Sequence, residues 1–303
     1  MHAEAACPVA DEGCALSLDL APRIAPALAA RLEGLGAQAP ADLSFANLWL
    51  FRRPHRYRFH EGDWPCISGL AYDGQPHAIA LFDLTRAPLS VLRQLIRRHG
   101  SLFPVTAREL RCFDPAQWQL QARRDDADYV YPAAQFRDYG GRALHKKRNL
   151  EAQLLKSHRV TAQAYEPALA AEALAVLDGW LLDKGKSPGE ADDPACREAL
   201  AHAPVLGLHA SLYRADGQAA GFLLAEQLQP GLWVVRFAKG LARFKGIAQH
   251  MFRHFAQHAP QAAQWLNFEQ DLGLANFRRT KLSYQPAALL PKWRVGLNDG
   301  ARG

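Results

Sequence analysis

The chain has 303 residues, 49% of them hydrophobic and 22% charged, which excludes a disordered polymer and leaves room for one large domain or two of ordinary size. Its net charge of +6, with His neutral, favours contact with phosphates, RNA or acidic lipid headgroups without choosing among them. The five cysteines, Cys7, Cys14, Cys66, Cys112 and Cys196, are odd in number and lack a C-x-x-C pair, so neither a disulfide framework nor a Cys-based metal site is expected and a reducing cytoplasm is the simplest setting.

Residues 1–16 read as a tail, acidic enough that no signal peptide is expected. No apolar run approaches the ~20 residues of a membrane span, so any contact with the inner membrane is expected to be peripheral. "SLDLAPRIAPALAARLEGLG" has helical spacing through Leu18, Ile24, Leu28 and Leu32. From Ser44 to Leu84, apolar runs separated by Pro54, Glu61-Gly62-Asp63 and Asp73-Gly74 predict strands joined by turns. A helix through Leu89, Leu92, Leu95 and Ile96 and a strand at "ADYVYP" follow.

"FRDYGGRALHKKRNLEAQLLKSHRV" reads as one helix, basic in its first half, and "ALAAEALAVLDGWLLDKG" as an amphipathic one. Two strands then flank the turn Asp216-Gly217. After them come a strand "LWVVRFAKG", a helix "GIAQHMFRHFAQHA", a strand "QWLNFEQDLG", a short helix "LANFRRTKL" and one last strand "YQPAALLPKWRV". Both halves contain a D-G hairpin and a strand-helix-strand passage, which suggests duplication.

Three stretches carry candidate chemistry. Arg243, Lys245, Gly246 and Ala248 fall where a strand gives way to a helix, and the unpaired N–H groups of that helix start favour a phosphate. Gly246 would allow close approach, the two cations would add charge, and backbone N–H groups around Phe237 to Lys239 are candidates for an oxyanion contact. In an extended "NFEQDLG", Asn267, Glu269 and Asp271 share a side, with Glu269 the first choice for a base, Asp271 the second and Glu226 a reserve. At helical spacing Arg142, His145, Lys146 and Asn149 share a face that Lys147 and Arg148 extend, which suits either an exposed solvated helix or the acceptor end of a tRNA. His250, His254 and His258 recur every four residues but have no carboxylate among them, so no metal is expected there.

The order of elements and the motif R-x-x-G-x-A resemble the GCN5-related N-acetyltransferase (GNAT) fold, whose donor loop reads [QR]-x-x-G-x-[GA]. The stretches Ser44–Arg52, Asp128–Asn149, "FKGIAQHMFRHFA" and Asn267–Pro286 more closely resemble a bacterial family of unknown function related to the C-terminal domain of phosphatidylglycerol lysyltransferase. That resemblance implies an α/β (α+β) chain of two tandem GNAT-like halves, each a mixed, mostly antiparallel sheet flanked by helices. The halves are expected at 17–133 and 160–303, with a basic connecting helix at 134–159 and the donor site in the second. It also implies an acyl- or aminoacyltransferase with no permanently bound cofactor, using aminoacyl-tRNA or acyl-CoA as co-substrate and an amine or hydroxyl acceptor on a lipid headgroup, peptide or small molecule. A non-catalytic binding module on the same fold is the other outcome. Many acetyl-CoA enzymes of this fold place a tyrosine proton donor five residues before a Gly-Phe-like end. Here that end is Ser283-Tyr284 and the position holds Arg279, a poor proton donor that suits a phosphate-bearing leaving group, with Lys281 on the same helix.

Overall fold

Strand order repeats itself in this chain, and the repetition shows how the site is assembled. The computed structural model describes residues 13–298. Residues 1–12 of the expected tail lie outside the described residues, and its end forms a short strand, β1 (Cys14–Ala15). Helix α1 (Ala21–Leu32) buries Ile24, Leu28 and Leu32 at fourfold spacing. The next run, expected to be a strand, is helix α2 (Phe45–Leu50), because the Ser44 side chain caps it by accepting from the Asn47 N–H at 3.0 Å. Strands β2 (Arg58–His60), β3 (Cys66–Leu70) and β4 (Pro76–Ala80) lead to helix α3 (Leu89–His99), which ends at Gly100 with φ 89°. Then come β5 (Leu102–Val105), β6 (Trp118–Ala122) and β7 (Asp128–Pro132).

The expected connecting helix is two helices, α4 (Ala134–Asp138) and α5 (His145–Ser157), because Tyr139 adopts a left-handed φ of 52° and Gly140-Gly141 follows it. The second half begins with β8 (Val160–Ala164), α6 (Ala170–Asp183) and α7 (Asp193–His202). The hairpin β9 (Leu208–Ala215) and β10 (Gln218–Gln229) turns at Asp216 and Gly217, both at positive φ, as the D-G signal predicts. Next are β11 (Leu232–Gly240), α8 (Ile247–His258), β12 (Trp265–Asn267) and α9 (Ala275–Leu282). The expected last strand is two, β13 (Ala288–Leu290) and β14 (Trp293–Leu297), parted by Pro291-Lys292.

One sheet runs β1-β2-β3-β4-β5-β14-β6 and the other β8-β9-β10-β11-β12-β7-β13. Position for position the two orders match, and each contains one parallel pair, β4/β5 and β11/β12, flanked by antiparallel neighbours. The sixth strand in each sheet is exchanged. β7, which ends the first half in sequence, pairs with β12 and β13, and β14, which ends the second, pairs with β5 and β6. Boundaries at 17–133 and 160–303 therefore do not separate two spatial units. One apolar cluster spans the second sheet, α6, α7 and α8 and continues into α1 and α2, and a smaller one lies around Leu92, Ile96, Leu102, Trp118 and Val295.

Candidate active site

The paired edges of β11 and β12 part company after Val234 and Asn267, the last residues in register. Just past that point β11 carries a bulge. Leu224 faces Phe237 while Ala225 faces Val235, which leaves Arg236 as the extra residue. A bulge re-aims a side chain, and here the guanidinium enters the seam between the halves, with its side chain 1% exposed. It donates to Glu226 Oε2 at 2.7 and 2.9 Å, to Glu269 Oε1 at 2.6 Å, to the Ala41 carbonyl at 2.8 Å and to Ser44 Oγ at 2.7 Å. Burial opposes its charge, but the charges and hydrogen bonds of the two carboxylates outweigh that, so its pKa rises above the ordinary guanidinium value.

Glu269 is set by the backbone as well. Its φ is 57°, so the chain stops being extended at Asn267, whose Oδ1 accepts the Glu269 N–H at 2.7 Å. The carboxylate keeps 23% of its side chain exposed. Burial pushes its pKa up and the Arg236 charge offsets this only in part, which makes it a stronger base than an ordinary carboxylate. Lys281, from α9, donates to the carbonyls of Glu269, at 3.2 Å, and of Gln270. Desolvation pushes the Lys281 ammonium down to about 8, against the pull of Glu269 and Asp128. Beneath them buried Lys292 joins the halves, donating to Asp42, to Asp128 Oδ1 at 2.9 Å and to Gln270 Oε1 at 2.9 Å. Asp128 also accepts from Asn267 Nδ2 at 3.0 Å and the Ala41 N–H at 2.7 Å. Tyr72 borders the group; desolvation and then the charges on Asp42 and Glu269 raise the pKa of its hydroxyl.

Glu269, Glu226, Asn267 and Lys281 thus come together, and other expected residues do not. Asp271 shares no side with Glu269, because the left-handed turns at Glu269 and Leu272 break the extended run. It is fully buried and accepts from Tyr129 at 2.5 Å, Arg278 at 2.9 Å and Arg124 at 3.1 Å, contacts that hold its carboxyl well below the usual range despite burial. Arg279 is exposed on α9 rather than turned into this cluster. Tyr284 is 3% exposed, its ring packed with Phe136 and Phe252 and its hydroxyl accepting from Gln249 Nε2 at 2.7 Å, so it is a core residue rather than a substrate contact. The side chains of Phe237 and Lys239 are not in this cluster, Phe237 being buried and the Lys239 ammonium held by Asp192 at 2.7 Å and over the Trp180 ring at 3.7 Å, which leaves the expectation for their backbone N–H groups a separate matter.

Gly246 has a packing reason of its own. Its φ is 104°, and a Cβ there would lie 2.2 Å from the Leu150 carbonyl oxygen. The missing side chain serves the contact between α5 and the start of α8, so the close approach reserved for a phosphate is made by a helix backbone. Arg243 and Lys245 are exposed beside it and Ala248 is half-buried. Arg142, His145, Lys146, Arg148 and Asn149 are exposed, with Arg148 donating to the Tyr139 carbonyl at 2.7 Å; Arg142 precedes α5 instead of sharing its face. His250 meets Glu151 at 3.1 Å and His254 meets the Tyr213 hydroxyl at 3.1 Å.

Sequence reasoning missed Arg236 and Lys292. A cation in the middle of "WVVRFAK" was the available signal for the first. The first sheet shows what an unused counterpart looks like. Ala78 faces Leu102 there as Val234 faces Asn267, so Ala80 and Pro104 stand where Arg236 and Glu269 do. Their carbonyls accept from Arg31 at 2.8 and 2.9 Å, and Glu109 closes the pair with Arg31 Nε at 2.8 Å. One parting of strands is plugged by a buried ion pair and the other presents a carboxylate.

A family model for the C-terminal domain of phosphatidylglycerol lysyltransferase matches residues 34–296. The chain belongs to that family. Among solved structures it is similar to a conserved protein of unknown function from Bacteroides thetaiotaomicron, at 22% identity over 94% of this chain and 98% of the other, with a TM-score of 0.81. The C-terminal domain of a protein described as a lysylphosphatidylglycerol synthetase, from Agrobacterium fabrum, aligns at 15% identity over 94% of each chain with a TM-score of 0.64. L-PGS from Bacillus licheniformis aligns at 10% identity over 90% of this chain and 91% of the other with a TM-score of 0.56. At these identities the likeness shows the fold alone. No curated protein matches the chain. Membership of the family supports chemistry of the acyl- or aminoacyltransferase kind. Among the described residues no helix is long and apolar enough to cross a membrane.

Proposed function

We propose that the chain moves an aminoacyl group from aminoacyl-tRNA to an amine or hydroxyl acceptor, with Glu269 as base. The observation that carries this is the Glu269 carboxylate, raised in pKa, gripped by buried Arg236 and open to solvent where β11 and β12 part. In this reading Glu269 takes the proton of the attacking acceptor, the acceptor bonds to the ester carbonyl, and the bond from that carbon to the ribose oxygen breaks. Lys281 gives its proton to the departing oxygen and recovers one from Glu269 through solvent, so protons balance over a turnover. An ammonium with a pKa of about 8 is a far better donor than a guanidinium, so Lys281 and not Arg279 protonates the leaving group.

Two observations favour tRNA over acyl-CoA as donor. The Gly246 contact with Leu150 takes the close approach a pyrophosphate would use, and Arg142, Lys146 and Arg148 lie exposed on and before α5. The test is transfer of a labelled amino acid from charged tRNA to anionic phospholipid vesicles, a peptide amine or a small diamine, with acetyl-CoA run in parallel. The expected result is label moving from tRNA to one acceptor, with tRNA retention that falls steeply with salt and is weakened by Lys146→Ala with Arg148→Ala. Turnover with acetyl-CoA and none with any charged tRNA would overturn the proposal.

A further inference from the structure

A groove of about 700 Å³ lies in the first half, lined by Asp73, Gln75, Ser101, Gln119, Gln121 and Arg294 among others. That volume falls within the range of small-molecule sites. It is separate from the Glu269 cluster, none of whose residues lines it.

Arg294, on the exchanged strand β14, is the group to explain. Its side chain is only 14% exposed, and its ion pair with Asp73 is 3.5 Å long. Its other hydrogen bond runs to Ser101 Oγ at 3.1 Å, and its guanidinium lies 4.8 Å from the centre of the Phe103 ring. Asp73 is meanwhile held more closely by Arg123, at 2.8 Å, and by the Gln75 N–H, at 3.1 Å. Arg294 is therefore a mostly desolvated cation that shares one counter-ion with Arg123 and holds it at the longer distance, which leaves it able to gain from a closer anion. Gln119 and Gln121, two apart on β6, project to one face and supply neutral donors. Ile96, Pro76 and Leu297 give the groove an apolar floor.

We infer that this groove binds a small organic oxyanion, a carboxylate or phosphate on a partly apolar body, with Arg294 as its principal contact. Arginine donates in a planar fork that matches either group, and the floor takes the carbon frame.

The test is calorimetric titration of the full chain at low ionic strength with succinate and, separately, with glycerol phosphate, chloride being the control. Saturable binding of one equivalent is expected for at least one probe, and the arm that responds says whether carboxylate or phosphate is read. Arg294→Gln and, independently, Gln121→Glu should each weaken it by about tenfold or more, the loss of one charge-assisted contact. Gln121 is exposed on a strand face, so that variant reports on the groove even if Arg294→Gln folds poorly. No saturable binding of either probe, or equal affinity in Gln121→Glu and the unaltered chain, would overturn the inference.

Discussion

Replacing Arg236 by Met tests how the seam between the halves is held. The substitution leaves Glu226 and Glu269, 14% and 23% exposed, facing each other with no intervening charge. It also removes the donors to the Ala41 carbonyl and Ser44 Oγ. Breaking a buried pair by deleting one partner costs about 3–5 kcal/mol, which for a chain of 303 residues lowers Tm by about 5–8 °C. The sign with pH follows from Glu269. Its pKa in the folded chain is already raised, and loss of Arg236 raises it further, so the stability its protonated form contributes is lost as pH rises through that value. The deficit should be larger at pH 8 than at pH 5.5, and Glu269→Gln in the Arg236→Met background should recover part of it at pH 8. Thermal unfolding followed by circular dichroism at both pH values measures this. A deficit under about 2 °C, or one that grows as pH falls, would refute the reasoning.

Transfer rate should be bell-shaped in pH, rising as Glu269 ionises and falling above about 8 as Lys281 deprotonates; Lys281→Met should lower the rate and abolish the upper limb. Gly246→Ala should cost at least about 2 kcal/mol, measured by denaturant unfolding, because a positive φ and the Leu150 carbonyl both oppose a Cβ. Arg31→Met should lower stability by about 3–5 kcal/mol while leaving kcat per folded molecule unchanged, since the plugged counterpart takes no part in transfer.

What could be read from the sequence was local. Asp216-Gly217 fixes the hairpin, and the run from Val234 through Phe255 fixes a strand followed by a helix, since both signals depend on neighbours in the chain. Glu269 was legible as an acid on an extended run, whereas the end of that run before it, and its turn away from Asp271, were not, because only the Asn267 contact and the left-handed φ reveal where extension stops. The bulge at Arg236 escapes notice because β11 is buried on both faces, so "WVVRFAKG" has no alternation in which one extra residue would show as a change of phase. Exchange of β7 and β14 is invisible for a related reason, since an alternating strand fits either sheet. Lys292 falls inside what reads as one last strand, and only the acids of Asp42 and Asp128, more than 160 residues away, make its burial tolerable. Ser44 did carry a helix-start signal, outweighed by the apolar run after it.

The most direct test of the central claim is single-turnover transfer from charged tRNA by the Glu269→Gln protein, run beside the unaltered chain and with folding checked by its Tm. Glutamine keeps the shape and a carbonyl acceptor for Arg236 but cannot take a proton, so the rate should fall by about 100-fold or more. A folded Glu269→Gln protein that transfers within about threefold of the original rate, well short of the general-base range, would contradict it.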